Sequence, residues 1–415
     1  MKKKIFSIIF SAVCCALMLC GCSSSSAPVA APPTASETRP VVVTPATEPA
    51  TESEPATEYV EPVTVSLVAV GDMLMHAGAS MPAVQPDGSY NYDYLFANVK
   101  SVIESADIAV VNNEVIMAGN ELGNIGYPCF NVRTELGDSE VRAGFDVILG
   151  ATNHTMDQNA SGIINCVNFW KTAHPGTSVL GIHDSAEGAS DICVRDINGV
   201  RIAMLNYTYG TNGIPVPSGY EYTVDLMTDA TKPKIADDIA RAKAVSDFVI
   251  VYPHWGTEYN LGISEEQTAW AKFFAEQGAD LIIGTHPHVI EPVQWVEGSN
   301  GHKALVYYSL GNFVSIQYYN YSMLGGMAKV SITKDAGGTR ISDYDMDFLV
   351  THYTSGRTAV TTYFLSQYTD ELAASHAILV EPPENYAAVN AGYPFTIAGL
   401  KNLAKSVCPE FAKDL

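Results

Sequence analysis

Short apolar runs that each end in a polar residue recur along the chain, and this repetition most constrains the fold. The run Thr64–Val70 leads to Asp72, and the run Phe145–Leu149 leads to Asn153. Runs of this kind predict short buried strands, and the amphipathic segments between them predict helices. Strand–helix alternation, followed by two or three antiparallel strands over 323–352, predicts an α/β class with a mixed sheet.

Residue types that bind divalent metals stand at these predicted strand ends. They are Asp72, Glu114, Asn153, His154, His254, His286 and His288. Open α/β sheets place their chemistry beyond the carboxyl ends of strands, so we expect these side chains to converge. Carboxylates, an amide oxygen and imidazoles together suit zinc, manganese or iron. Two carboxylates, the amide oxygen and three of the four imidazoles make six ligands, which is more than one tetrahedral ion needs and fits two ions sharing a bridging carboxylate, an arrangement that supports phosphoryl transfer.

Each of these residues also has a structural interpretation. Asp72 alone is typical of a turn or a cap, and Asn153 with His154 alone is typical of a turn with a surface imidazole. For His286 and His288, an extended backbone would point both side chains the same way. The rigid Pro287 between them would instead direct each histidine to a different partner, and both alternatives stay open.

The charge and cysteine content exclude some functions. A net charge of −22 over 415 residues repels nucleic acid, so no nucleic-acid partner is expected. A polyanionic substrate would also be repelled unless a metal or a local basic pocket intervened. Four cysteines lie beyond the amino-terminal region, at Cys129, Cys166, Cys193 and Cys408, without metal-binding spacing. We expect them to be mostly buried and unpaired, although an oxidising compartment would allow one disulfide.

The amino terminus has the pattern of a targeting segment. Three lysines precede the apolar stretch Ile5–Leu19, which is too short for a comfortable membrane span. Leu19-Cys20-Gly21-Cys22 resembles a bacterial lipoprotein signal. It predicts a signal peptide over 1–21, lipidation of Cys22, and anchoring at the extracytoplasmic face of the cell membrane. An ordinary secretory signal and an uncleaved anchor are the alternatives.

Residues 22–62 are rich in Ser, Pro, Ala, Thr and Glu and contain few large apolar residues. Such a composition cannot build a core and predicts a disordered tether. The tether would separate the membrane anchor from the folded domain.

Six ordered motifs carry a family resemblance. They are Gly71-Asp72, Asn112-Asn113-Glu114, Ala151-Thr152-Asn153-His154 with Asp157, His254-Trp255-Gly256-Thr257-Glu258, Gly284-Thr285-His286-Pro287-His288 and Tyr308-Ser309-Leu310-Gly311-Asn312-Phe313. Together they resemble the CapA family, which is named for capsule synthesis, especially of poly-γ-glutamate, within the calcineurin-like metallophosphatase superfamily. The resemblance covers about Val63 to His352. It implies a four-layer α/β/β/α sandwich with a dinuclear metal site over 63–355, and it leaves 356–415 as a helical extension.

The resemblance also implies roles for individual residues. The metal-binding pattern falls on Asp72, Glu114, Asn153, His254, His286 and His288. His154 takes the position of a proton donor beside the phosphate. Trp255, Glu258 and Asn312 match motif positions whose roles are structural or substrate-facing.

Two departures from the superfamily pattern concern His76 and Asn159. The usual Asp-x-His is absent, and His76 follows Asp72 by four residues, as a ligand or, the favoured interpretation, as a loop residue. Asn159 stands where glycine is expected, and Asn also tolerates positive φ.

Three functions remain in competition. The first is a surface-anchored metallohydrolase acting on a phosphoester or related bond of an envelope polymer or its precursor. The second is a non-hydrolytic lipoprotein that assists an integral-membrane synthase or exporter of an anionic polymer such as poly-γ-glutamate. The third is a metal-dependent amide hydrolase of wall peptides. The fold and site do not by themselves choose the substrate.

Overall fold

The computed structural model of this protein describes residues 61–415. The predicted signal peptide, Cys22 and residues 23–60 of the predicted tether lie outside this range. Within the described range, no helix is long and apolar enough to cross a membrane.

The described residues form strands and helices in mixed order. The strands are β1 (Val63–Met73), β2 (Ile108–Asn113), β3 (Val147–Leu149), β4 (Ser178–Leu180), β5 (Cys193–Ile197), β6 (Val200–Thr208), β7 (Phe248–His254), β8 (Leu281–Ile283), β9 (Val293–Glu297), β10 (Lys303–Tyr307), β11 (Asn312–Val314), β12 (Leu324–Asp335), β13 (Gly338–Thr354) and β14 (Thr358–Phe364). The helices are α1 (Lys100–Ile103), α2 (Glu135–Ala143), α3 (Asn159–Ala173), α4 (Lys232–Val245), α5 (Glu265–Gln277), α6 (Asp370–Ser375), α7 (Ala377–Val380), α8 (Tyr386–Val389) and α9 (Ile397–Val407).

The strands build two mixed sheets. The first has eight strands in the order β14-β13-β12-β1-β2-β3-β4, with β11 pairing in parallel with the end of β1. The second has six strands in the order β5-β6-β7-β8-β10-β9. In the first sheet β1 to β4 run parallel, whereas β12 is antiparallel to β1. The predicted α/β class with mixed sheets is confirmed.

The two sheets share one core. Successive side chains on a strand point to opposite faces, and β6 shows this division. Met204 belongs to the core that joins the two sheets, whereas Leu205 belongs to a second core under α4 and α5. Helices α2 and α3 add Leu136 and Trp170 to the joining core. The helices therefore flank a pair of sheets, as the predicted sandwich requires.

Several local predictions agree with the structure. Helix α2 and helix α4 have the predicted bounds, and a hairpin turns at Asn198 and Gly199 between β5 and β6. Helix α5 begins with the predicted capping box, because Ser264 accepts from the Gln267 backbone and the Gln267 side chain accepts from the Ser264 backbone.

The residue pattern from Tyr92 to Ser105 predicts a helix, and this prediction is wrong. The segment contains a 3-10 turn and only the single helical turn α1. Asn98 lies between them, and its side chain donates to the Thr362 carbonyl of β14 at 3.1 Å. The buried residues Phe96 and Ile103 do follow a helical spacing, but side-chain contacts with β14 interrupt the backbone ladder.

The tail from 356, predicted as a helical extension, is corrected at its start. Its first element is β14, which pairs antiparallel with β13 and forms the edge of the first sheet. Helices α6 to α9 follow it. Strand β9 was also missing from the prediction, although it pairs antiparallel with β10.

The four described cysteines are free. Cys166 and Cys408 are buried as expected, whereas Cys129 is exposed and Cys193 is partly exposed. The sequence-based expectation of unpaired cysteines therefore agrees with the structure, and the expectation of burial holds for half of them.

Gly71 is required where β1 approaches β11. A Cβ added there would lie 1.8 Å from the Gly311 carbonyl oxygen, so Gly71→Ala must separate two backbones. We expect it to lower the free energy of unfolding by about 1–3 kcal/mol or more. Urea unfolding measures the loss. Gly176→Ala is the matched control, because nothing lies within 4 Å of the added Cβ at that exposed turn. Equal stability of the two variants would contradict this account.

Candidate metal centre

Strand ends from both sheets converge at one place. Asp72 on β1 pairs in register with Asn112 on β2 and with Asn312 on β11, and Glu114 follows β2 directly. His254 ends β7 and forms a bridge with Thr285 just after β8. Parallel neighbours align their carboxyl ends, which is why residues far apart in sequence meet here.

Two groups of side chains are arranged to hold a cation. The first group is Glu114, His254 and His286, and the second is Asp72, Glu114 and His288. In each group the ligand atoms lie within 4.8 Å of one another, and all five residues are buried. Glu114 belongs to both groups, which is the position that a bridging carboxylate would take.

Glu114 has no protein partner for its charge. Neither carboxylate oxygen accepts a hydrogen bond among the described residues, and the side chain is fully buried. The closest imidazole nitrogens, on His254 and His288, lie 3.6 Å away. Burial, with a further contribution from the charge of Asp72, raises the pKa of Glu114 well above its usual value. A buried carboxylate in this state is costly unless a cation compensates it.

The imidazoles are held in the form that binds metal. Burial is the largest cause that lowers the pKa of His254 and His286 well below the usual value, and the neighbouring histidines lower it further. Neutral imidazole is the ligand form of histidine. His286 Nδ1 also has no hydrogen-bond partner among the described residues. The chemistry of this donor set therefore fits borderline divalent ions.

The turn after β8 sends its two histidines to different groups. His286 and His288 have φ values of 101° and 59°, in the left-handed region that non-glycine residues rarely adopt. His288 Nδ1 lies 3.0 Å from Asp72 Oδ2, whereas the His286 ring lies 4.8 Å from the His254 ring. The structure therefore shows the second of the two alternatives, in which His286 and His288 each face a different partner.

Hydrogen bonds fix the orientation of Asp72. Its Oδ1 accepts from Asn112 Nδ2 at 2.9 Å and from the His286 backbone N–H at 3.1 Å. The second oxygen faces His288. The carboxylate is therefore oriented before any ion binds, which reduces the reorganisation that binding requires.

Asn153 and His154 lie at the edge of the first group. Asn153 Oδ1 is 3.0 Å from His254 Nε2, so the amide oxygen points at the same space. His154 Nδ1 donates to Asp157 Oδ2 at 2.8 Å, and that oxygen also accepts from the Phe130 backbone at 2.6 Å. The pairing fixes the His154 tautomer, and Asn212 Nδ2 lies 3.5 Å from Nε2.

The other predicted residues lie at the site or beside it in structural roles. Trp255 donates from Nε1 to the Tyr308 carbonyl at 2.8 Å and packs in the core under α4 and α5. Asn312 donates to Gln317 Oε1 at 2.8 Å. Glu258 is exposed, and its charge contributes to raising the pKa of Glu114.

His76 lies outside both groups. Its Nδ1 is 3.1 Å from the Leu74 carbonyl, and its ring meets the Phe130 ring edge-on. Burial lowers the pKa of His76 to about 4, with smaller contributions from the charges of His288 and His154. This geometry agrees with the favoured interpretation of His76 as a loop residue.

Sequence reasoning assigned no role to three neighbours of the centre. They are Asp157, which orients His154; Tyr209, whose ring lies 4.7 Å from that of His286; and Asn212, whose Oδ1 accepts from Asn153 Nδ2 at 3.3 Å. Asp157 is three residues after His154, the spacing of one turn, and the other two follow the end of β6. The strand-end signal used for the metal ligands would have found them.

Fold and site together define a two-sheet α/β protein with a buried carboxylate–imidazole cluster at converging strand ends. Residues 66–317 match the model of the family described as Bacterial capsule synthesis protein PGA_cap. The chain belongs to this family, and the resemblance noted from the six motifs is confirmed.

Two curated relatives share part of their length with this chain. The capsule biosynthesis protein CapA of Bacillus anthracis is 27% identical over 269 residues, covering 64% of this chain and 63% of the relative. The PGA biosynthesis protein CapA of Bacillus subtilis strain 168 is 29% identical over 199 residues, covering 47% and 49%. The chain thus spans less than two thirds of the length of either relative.

Solved structures resemble this chain at low sequence identity. A phosphatase from Mycoplasma pneumoniae has a TM-score of 0.45 and 14% identity, covering 69% of this chain and 94% of that structure. The calcineurin-like phosphoesterase YfkN of Bacillus subtilis has a TM-score of 0.38 and 12% identity, covering 83% and 100%.

The unpaired charge of Glu114 leads to a stability prediction. A raised pKa means that the folded protein binds this proton more tightly than the unfolded chain, so the burial cost grows as pH rises above the usual Glu value. Metal-free Glu114→Gln should therefore be more stable than metal-free parent at pH 7.5. The difference should shrink toward pH 5, where the parent carboxyl becomes protonated. Urea unfolding at both pH values, in chelator, measures it. A metal-free parent as stable as the variant at pH 7.5 would contradict the assignment.

Proposed function

We propose that this chain acts in the biosynthesis of a capsule or related envelope polymer of the poly-γ-glutamate type, through a dinuclear-metal site that hydrolyses a phosphoester-like bond. The observation that carries the proposal is Glu114, buried without a partner and common to both ligand groups. Membership of the capsule synthesis family supports the polymer.

The residues present fit two divalent ions. Glu114, His254 and His286, with the Asn153 oxygen beside them, would hold one ion. Asp72, Glu114 and His288 would hold the other. Manganese, zinc and iron suit this mixture of oxygen and nitrogen donors. When bound, such a pair supplies Lewis acidity to the phosphoryl group and acidifies water for attack.

His154 would supply the proton for the leaving oxygen. It is nearly buried, and its Nδ1 is committed to Asp157 at 2.8 Å, so Nε2 is the atom that can exchange a proton with a substrate. Asp157 would orient the ring and stabilise the imidazolium form. The edge of the Phe130 ring, with centroids 4.7 Å apart, restricts the imidazole on one side. His154 therefore has the orientation that a general acid requires.

The place of action follows from the amino-terminal pattern. We include in the proposal that a lipid on Cys22 anchors the chain at the extracytoplasmic face of the membrane, and that the segment 22–62 tethers the domain there. The Leu19-Cys20-Gly21-Cys22 pattern supports this. An anchored site would act close to an integral-membrane synthase or exporter of the polymer.

Metal content is the first measurement. We expect the protein, purified without chelators and reconstituted with zinc, manganese or iron, to contain about two metal equivalents. Asp72→Ala and His286→Ala should each lose metal, because each removes a ligand of one group. Elemental analysis gives the stoichiometry. If the metal content of the parent protein were no higher than that of the two variants, the hydrolase proposal would be refuted. A non-hydrolytic partner of a polymer synthase would then be the better account.

The second measurement isolates His154. We expect His154→Gln to retain its metal and to lose about 10²–10⁴-fold in kcat on an aryl phosphodiester, because a positioned proton donor contributes that much. Asp157→Asn should lose activity in the same direction. His174→Gln is the matched control, since His174 also pairs with an aspartate, Asp138, at 2.7 Å on the surface. Full activity in His154→Gln would show that His154 has no role in the mechanism. A parallel screen with γ-linked and wall-peptide amides tests which bond is cleaved.

A further inference from the structure

One arginine is unlike all the others in the described chain. Six of the seven arginines within 61–415 pair with a carboxylate, namely Arg133, Arg142, Arg195, Arg201, Arg241 and Arg340. Arg357 has no ion pair and no side-chain hydrogen bond within the same range. Its guanidinium instead lies over the ring of Tyr318, 3.7 Å from the centroid. In a chain of net charge −22, a guanidinium left without a carboxylate partner is unusual.

A series of aromatic contacts connects Arg357 with the candidate metal centre. Tyr318, on which it stacks, is followed by Tyr319, whose ring lies 4.4 Å from that of Tyr259. The Tyr259 ring in turn lies 5.7 Å from the His288 ring. These aromatic contacts link the guanidinium to a ligand of the second group.

A second contact joins the Arg357 backbone to the loop after β1. The Arg357 carbonyl packs against Gly78, where an added Cβ would lie 2.7 Å from that oxygen. Gly78 is two residues after His76, and the charge of Arg357 is among the causes that lower the pKa of His76. Arg357 therefore lies against the loop after β1 as well as against the aromatic residues.

The backbone holds Arg357 in a strained and tethered turn. Gly356 and Arg357, between β13 and β14, have φ values of 72° and 54°, and Ala359, the second residue of β14, has a φ of 49°. Glu381 does not pair with the guanidinium but accepts from Ser355 Oγ at 2.6 Å and from the Gly356 N–H at 2.8 Å, and so fixes the turn. Left-handed backbone at a non-glycine residue costs energy and persists only where the surroundings enforce it.

We propose that Arg357, with Tyr318 as its platform, forms an anion subsite beside the metal centre that binds a second carboxylate or phosphate group of the substrate. This inference rests on the proposed function, since it names the class of substrate: a molecule with at least two anionic groups. A planar guanidinium fork that no protein carboxylate occupies suits bidentate binding of an oxyanion. Tyr318 is 45% exposed, so the subsite is open to solvent. The Arg357 guanidinium also supplies the local basic group that an acidic chain needs to bind a polyanion.

The test is a binding titration on the metal-loaded full chain and, in parallel, on the metal-free protein. The probes are inorganic phosphate, a γ-linked glutamate pentapeptide as the polycarboxylate, and tripolyphosphate as the extended phosphate. The variants are Arg357→Gln, Arg357→Lys and the control Arg340→Gln, whose residue pairs with Asp335 at 2.7 Å near the β12–β13 turn. Circular dichroism and metal content show whether each variant keeps its fold and its ions.

Arg357→Gln should weaken the binding of at least one extended anion tenfold or more. It should weaken the binding of inorganic phosphate less than threefold, because a single anion needs only the metals. Arg357→Lys should fall between, since an ammonium keeps the charge but not the fork. Loss confined to the pentapeptide identifies a carboxylate substrate, and loss confined to tripolyphosphate identifies a phosphate. Unchanged affinity of both extended anions in Arg357→Gln, or an equal loss in Arg340→Gln, would overturn the subsite. Absence of metal in the parent would instead refute the proposed function, while the metal-free titration still decides the role of Arg357.

Discussion

The burial of two carboxylates without a cationic side chain is the constraint on which the rest of the structure depends. Asp72 and Glu114 are fully buried, and within 61–415 neither pairs with a lysine or an arginine. Asp72 accepts hydrogen bonds from the Asn112 amide and the His286 backbone N–H and lies 3.0 Å from His288 Nδ1, whereas Glu114 accepts none among the described residues. A folded protein tolerates such a group when it is protonated or when an ion neutralises it. Imidazole nitrogens of His254 and His288 each lie 3.6 Å from a Glu114 oxygen, an arrangement that could hold such an ion.

This arrangement requires both sheets at once. The two carboxylates follow β1 and β2 of the first sheet, whereas the three imidazoles come from the ends of β7 and β8 in the second. A direct contact joins the two sheets there, because the backbone N–H of His286, after β8, donates to Asp72 Oδ1 on β1 at 3.1 Å. The cluster is therefore a property of how the sheets pack, and no single sheet contains it.

Much of this was readable in the sequence, for a physical reason. Short apolar runs identify buried strands, and parallel neighbours align their carboxyl ends, so listing the polar residue after each run found all the members of both ligand groups. The sequence could not show which residue each of these side chains contacts. The division of His286 and His288 between groups depends on two left-handed residues, and the failed helix at 92–105 depends on Asn98 reaching a strand more than 260 residues later. Strand β14 was missed because one of its three alternating buried positions is Thr362, which interrupts the apolar alternation of Val360 and Phe364.

The position of β1 has a consequence for the folding of the chain during its synthesis. This strand lies in the middle of the first sheet, yet its antiparallel neighbour is β12, with Val63 opposite Lys334. At ~5–20 residues per second, ribosomal synthesis leaves β1 without that neighbour for on the order of tens of seconds. Through that interval one edge of β1, rich in valine and leucine, remains open to pairing with other chains. Native assembly of the first sheet is thus deferred until β12, late in the chain, has been synthesised.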